Sequence, residues 1–421
     1  MVKTDLTVFK NIISLFSIRF AGYIIPLITL PYLVKVLQPV GFGYLSFGIA
    51  VLQYCTLVVN YGFDLSATRK IAQNRENVHY ISDIFWNILF LRLFISLVGF
   101  LVLVVFIHLF PDLYRIKWIL LWGYLSVLGT ALFPMWLFQG KEQLGRISAA
   151  RIFLQISCVP LFFVFVKNTQ DDWVASLIYA LPQLLISVVA VYIIHKRKWI
   201  VLKKIKLATI KKELIDGWHL FISTAAISLY TTTITVVLGS VSGPYSVAIY
   251  TSANKILQAA QGLYQPISSA FYPRINNLMK ENKQLAFKTI RKLFKIQFVI
   301  TICISVGLFL FSNIVVDILY GDDYRNAALI LQLLSPIPIV VGCSNIFGIQ
   351  ILLTCGYKKE FSTILLISGF INMILIFPLC YKFNEFGAAF SVLITEIFVT
   401  VSMLFVVILK KIPVWESKRN V

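Results

Sequence analysis

Five basic residues lie inside long apolar runs of this chain: Arg19, Lys35, Arg92, Arg151 and Lys255. A positive charge in hydrocarbon costs several kcal/mol, so such a side chain faces a protein interior or a watery space and meets a partner. Acids to neutralise them are scarce. Asp64, Asp83, Asp216 and Asp317 sit at the ends of apolar runs, and only Glu396 lies clearly within one. Five bases against one deep acid leave a net positive interior, which is costly unless a ligand brings negative charge. Arginine grips a phosphate bidentately and lysine holds it as a point charge. A diphosphate suits the set, as would another polyanion. Glu396 either carries a coupling proton or pairs with one of the bases.

The surroundings of these residues differ. Arg19 and Lys35 share an apolar run with Pro26 and Pro31, and prolines that remove backbone hydrogen bonds bend a membrane helix. Lys255 stands in "YTSANKILQAAQGLYQPISSAFYP", where Ser252, Asn254, Gln258 and Gln261 extend a polar stripe at helical spacing. Arg151 begins four or five residues into its run, close enough to an end to snorkel to the membrane surface.

The elements that must position these charges are membrane spans. The 421 residues are 59% hydrophobic and 13% charged, with mean hydropathy +0.84, far from a soluble domain. Twelve runs of spanning length fall at roughly 11–36, 42–63, 84–109, 118–138, 147–166, 174–194, 217–239, 246–271, 296–319, 328–353, 361–381 and 387–409. An even count puts both termini on one side. The segments on that side hold 28 Lys and Arg against five on the other. That asymmetry makes both termini cytoplasmic and accounts for the net charge of +20 without nucleic acid.

All outward loops are short, leaving no room for an external domain. The central inward loop, "HKRKWIVLKKIKLATIKKELID" (195–216), mixes lysines with Trp199, Val201, Leu202 and Ile205. It reads as an interfacial helix on anionic headgroups, or simply as the connector between two lobes. The expected lobes are residues 1–205 and 206–421, six helices each. "VLQPVGFGY" (36–44) and "VLGSVSGPY" (237–245) share Val, Leu, Val and Tyr at an offset of 201, as parallel six-helix repeats would.

Enzyme chemistry is not indicated. Six scattered cysteines form no CxxC pair, and four distant histidines have no metal-ligand spacing. The acidic pairs Asp171–Asp172 and Asp322–Asp323 stand in unrelated loops. There is no nucleophile–base constellation and no phosphate-cradling glycine loop, so no cofactor and no metal are expected.

"PLITLPYLVKVLQPVGFGYLSFGIAVLQY", then "YGFDLSATRKIA" (61–72) and "SANKILQAAQGLYQPISSAFYPRI" (252–275), resemble the polysaccharide transport family, most closely the O-antigen flippases of Wzx type. The resemblance implies an all-α fold of about twelve membrane helices in two six-helix lobes around a central cavity. It implies a flippase moving undecaprenyl-diphosphate-linked oligosaccharide repeat units from the cytoplasmic to the periplasmic leaflet of a bacterial inner membrane, by alternating access. Membrane lipids, an O-antigen polymerase and a chain-length regulator are the implied partners. Arg19, Lys35, Arg92, Arg151 and Lys255 would then hold the diphosphate and sugar headgroup. Asp64 and Arg69, within "GFDLSATR", read as a cytoplasmic gate or as an ordinary capped helix end, with Glu396 the third gate or coupling candidate. A multidrug-type antiporter of the same fold is the first alternative, but it calls for buried carboxylates. An integral-membrane polymerase or glycosyltransferase is the second, but it calls for a substantial outward loop.

Overall fold

An apolar run inside a bilayer has no water to satisfy its amides, so the backbone closes its own hydrogen bonds as helix. The computed structural model describes residues 2–205 and 207–414. Side chains are described for these except at 2–21, 23, 24, 65, 146, 207, 208, 212, 216, 219, 220, 223, 224, 226, 227, 229, 230 and 270. The helices are α1 (Val2–Asn60), α2 (Phe63–Gln73), α3 (Val78–Leu109), α4 (Pro111–Arg115), α5 (Lys117–Leu132), α6 (Met135–Gly140) and α7 (Leu144–Phe165). They continue as α8 (Asp172–Lys196), α9 (Leu207–Thr231), α10 (Thr233–Glu281), α11 (Lys283–Leu319), α12 (Arg325–Leu334), α13 (Ile337–Asn345) and α14 (Lys358–Leu409). Ile346–Leu353 is π-helical.

Nine stretches among the described residues are long and apolar enough to cross a membrane. Three of them join two helices across a kink, at Gln38 in α1, Gly243 in α10 and Asn384 in α14. Divided at their kinks, α1 and α14 each supply two of the twelve expected spans, while the arm of α10 before Gly243 (233–242) is too short to cross alone. Two of the three precede proline, whose ring excludes the residue before it from helical geometry. Gln38 takes φ 58, ψ 173 before Pro39, and Gly243 takes φ 83, ψ 178 before Pro244.

These kinks correct the internal repeat. Gln38 and Gly243 are equivalent in geometry and 205 residues apart. The helix caps agree: Asn77 Oδ1 accepts from the Tyr80 amide and Asn282 Oδ1 from the Leu285 amide, again 205 apart. The offset of 201 slips the register by four, about one helical turn. Such a slip keeps the same helix face, which is why Val and Leu still matched. Further along, Lys198 (φ 52) and Lys411 (φ 47) close the two halves at an offset of 213.

The chain divides into two compact units, Met1–Ser228 and Leu229–Val421. The break falls inside α9, after the boundary at 205/206 expected from the loop. The first half of α9 is bound to the first unit: Ile210 joins its core, Lys70 Nζ donates to Glu213 Oε1 at 2.8 Å, and a Cβ on Gly217 would lie 2.9 Å from the Tyr61 carbonyl.

Inside the first unit, close approach depends on small residues, the usual device where lipid supplies no hydrophobic drive between helices. A Cβ at Gly129 would meet the Gln183 backbone at 2.7 Å, and Ser176 Oγ donates to the Ile119 carbonyl at 2.8 Å. The core beneath contains Phe63, Ile71, Phe85, Ile88, Trp136 and Leu144. Ile275, Ile290, Leu293, Phe347, Ile351 and Met403 belong to a second core, within the second unit. There the amide of Asn372 donates to Thr395 Oγ1 at 3.0 Å, and Ser242 Oγ to the Cys380 carbonyl at 3.1 Å.

Candidate functional site

The site residues of the first unit gather where α1 breaks. Tyr61 (φ 40) and Gly62 (φ 76) both adopt left-handed geometry, so α1 stops at Asn60 and α2 restarts at Phe63 in a new direction. Asp64, in the first turn of α2, meets Arg92 from the interior of α3. Arg92 Nη2 donates to Asp64 Oδ1 at 2.7 Å and to Asn60 Oδ1 at 3.1 Å. Arg92 Nη1 donates to the Phe133 carbonyl at 3.2 Å, where Pro134 separates α5 from α6. One guanidinium therefore ties both sides of the break and a second break opposite.

Asp64 stands at a helix end, as the sequence indicates, yet that end faces Arg92. The break at Tyr61–Gly62 restarts the helix so that Asp64 meets Arg92. The Arg92 side chain is 2% exposed and that of Asp64 38%. Arg92 is thus compensated inside the fold, with only its Nε lacking a hydrogen bond. At the equivalent position of the second half, 205 residues on, stands neutral Gln297. It too is buried and donates to a carbonyl, that of Gly342, at 3.1 Å. The shared feature of the two halves is a buried donor bridging to a backbone oxygen; the charge is an addition in the first half.

Arg151 lies beside this pair on α7. Its Cζ stands 5.9 Å from the Phe133 ring centroid, a cation–π distance. It is half-buried, its Nε has no partner, and it makes no hydrogen bond or ion pair among the described residues. Lys255, half-buried on α10 in the second unit, likewise has none among the described residues. The Thr251 and Ser252 hydroxyls, one helical turn before it, are buried without hydrogen-bond partners. These two bases retain the capacity to bind an anion.

The remaining candidates stand apart. Lys35 is exposed, three residues before the Gln38 kink. Arg69 is exposed on α2 and does not pair with Asp64, which Arg92 takes. Glu396 is half-buried on α14 and has no side-chain partner among the described residues; its carbonyl accepts from Thr400 Oγ1 at 2.9 Å. The Arg19 side chain lies outside the described residues. Two buried carboxylates were missed from sequence because they follow or precede apolar runs: Glu213, paired with Lys70, and Glu385, whose Oε2 accepts from Ser246 Oγ at 2.7 Å.

Comparison with known proteins places this arrangement. A model described as polysaccharide biosynthesis protein matches residues 8–279, more than half the chain. The chain belongs to the polysaccharide biosynthesis protein family. Within that family it is 37% identical, over 97% of its length and 98% of the relative's, to a protein of Escherichia coli (strain K12) named as an O-antigen transporter. A Shigella dysenteriae protein named in the same way is 29% identical, over 94% of this chain and 98% of the relative. In fold it resembles the lipid II flippase MurJ in an inward closed conformation, at TM-score 0.74 and 14% identity, covering 97% of this chain and 87% of that one. An inward-facing multidrug resistance MATE family transporter matches at TM-score 0.71 and 13% identity, covering 95% of this chain and 99% of that one. The family member is therefore an all-helical, multi-pass membrane transporter and not an enzyme.

Proposed function

We propose that this family member flips a lipid-linked oligosaccharide, with undecaprenyl diphosphate as carrier, from the cytoplasmic to the periplasmic leaflet of a bacterial inner membrane. Its likeness to O-antigen transporters along 97% of the chain carries this reading. Alternating access would move the diphosphate and sugar through a polar path while the polyprenyl tail stays in lipid. A polymerase and a chain-length regulator would then use the exported units.

The unpaired bases support a diphosphate as the anion. Arg92 is held by Asp64, so Arg151 and Lys255 are the strongest candidates for the headgroup, with Arg19 and Lys35 as further ones. Glu396, half-buried and without a side-chain partner among the described residues, is the candidate for coupling. A cationic drug would instead call for free carboxylates in place of Arg151 and Lys255. Twenty-eight basic residues on the side of the termini support cytoplasmic termini.

Deletion of the gene in its host tests the proposal. Surface O-antigen should disappear while complete undecaprenyl-linked repeat units accumulate, inaccessible from the periplasmic leaflet. Normal surface polymer would refute it, as would repeat units that accumulate already exposed to the periplasm.

A further inference from the structure

The segment between α8 and α9 is neither an interfacial helix nor a slack connector. Residues 199–205 form an extended strap without helical structure, fastened to the start of α3. The Val201 amide donates to Ser82 Oγ at 2.9 Å, and Trp86 Nε1 donates to the Val201 carbonyl at 3.0 Å. Lys203 Nζ reaches Asp83 Oδ2 at 2.9 Å. Trp199 packs edge-on against Phe138 at 5.4 Å between centroids, with the Arg197 guanidinium 5.3 Å from its ring.

Both backbone groups of Val201 and the charge of Lys203 are therefore used in holding the strap down. What remains points away from the protein. Leu202 is 87% exposed and Ile205 44%. Lys196, Lys198 and Lys204 are exposed around them. A fastened backbone offering exposed aliphatic side chains among exposed lysines is not a water-facing loop. Leucine in water gains nothing from being held there. Apolar side chains flanked by cations suit the boundary between phosphate headgroups and acyl chains. The location agrees, because Trp86 beneath the strap and Trp199 at its start are the residue type that gathers at membrane interfaces.

We propose that residues 196–205 form a lipid-docking strap that seats Leu202 and Ile205 in the interfacial layer of an anionic bilayer, with Lys196, Lys198 and Lys204 on its phosphates. The occupant is the membrane surface and not a protein, since a preformed strap with exposed aliphatic side chains flanked by lysines needs only a sheet of negative charge over hydrocarbon. It would fix the start of α9, the helix in which the two units meet in sequence, to the bilayer surface.

The test uses the full chain in nanodiscs. Leu202→Cys in a Cys303→Ser background carries an environment-sensitive fluorophore, and the parent without the added thiol supplies the background. Nanodiscs of phosphatidylcholine are compared with nanodiscs containing about a third phosphatidylglycerol. The acrylamide quenching constant should fall at least about twofold in the anionic discs, and a nitroxide near the headgroup should quench the label. Lys198→Gln/Lys204→Gln should return both signals to their values in phosphatidylcholine. Two outcomes overturn the proposal. One is acrylamide access in both discs equal to that of a label at Glu76→Cys, in an exposed loop, which would leave the strap open to water or to a soluble protein. The other is protection in both discs without nitroxide quenching, which would mean that the protein itself covers Leu202.

Discussion

Replacing Arg92 by glutamine, the residue that the second half carries at the equivalent place, separates a structural role from a ligand-binding one. The side chain is 2% exposed and its guanidinium makes three hydrogen bonds, to Asp64, Asn60 and the Phe133 carbonyl. Breaking a buried ion pair by removing one partner costs about 3–5 kcal/mol, mostly from the charge left behind. Here the orphan would be Asp64, which at 38% exposure can still recruit water, so about 3 kcal/mol is expected. Glutamine can keep the bond to Phe133, as Gln297 keeps one to Gly342, returning about 1 kcal/mol and leaving about 2. Arg92→Gln/Asp64→Asn has no charge to orphan, so the double variant should be more stable than Arg92→Gln alone, with a coupling of about 1–2 kcal/mol. The assay is reversible unfolding in mixed dodecyl sulfate and maltoside micelles, alongside surface O-antigen in a deletion strain. The double variant should restore transport wherever it restores folding. Additive costs would refute the pairing. A stable Arg92→Gln protein without transport would move Arg92 from the scaffold to the substrate.

Other perturbations have equally definite outcomes. Gln38 takes φ 58, ψ 173, a region essentially reserved for glycine and costing about 1–3 kcal/mol for other residues; Gln38→Gly should stabilise by about 1 kcal/mol, and Gly243→Ala should destabilise by a similar amount, in the same unfolding assay. Gly387→Ala should abolish accumulation of folded protein, read by fluorescence-detected size exclusion, because its Cβ would fall on the Leu379 carbonyl. Arg151→Gln and Lys255→Gln should each abolish export while changing stability by less than about 1 kcal/mol, since neither base makes a hydrogen bond or ion pair among the described residues. Arg151→Lys should retain part of the activity if charge outweighs the bidentate fork.

The helices were legible because each rests on a local pattern. An apolar run of spanning length marks a membrane helix without reference to the rest of the chain. The kinks at Gln38–Pro39 and Gly243–Pro244 were legible as breaks, yet their register was not. A four-residue slip changes neither the face nor the hydrophobicity of a helix. Arg92 was legible as a buried charge, but its partner was not. Asp64 reaches it only because Tyr61 and Gly62 both turn left-handed, and the pair joins residues 28 positions apart. The Tyr-Gly dipeptide was the available signal. The stretch 199–205 reads in sequence as interfacial helix or as plain connector because a mixture of lysines and apolar residues suits either form. Hydrogen bonds from the strap to Ser82 and from Trp86 decide it, and no local pattern encodes those.

The central claim is movement of an anionic lipid-linked sugar past the unpaired bases. Its most direct measurement is transbilayer transfer, by the purified protein in liposomes, of a polyprenyl-diphosphate oligosaccharide labelled on the sugar. Transfer is read by a membrane-impermeant lectin or glycosidase. The account predicts protein-dependent transfer that Arg151→Gln or Lys255→Gln removes, with binding of the diphosphate lipid weakened in parallel. Transfer by the variants at the parental rate, or none by the parent while it binds the lipid, would contradict it.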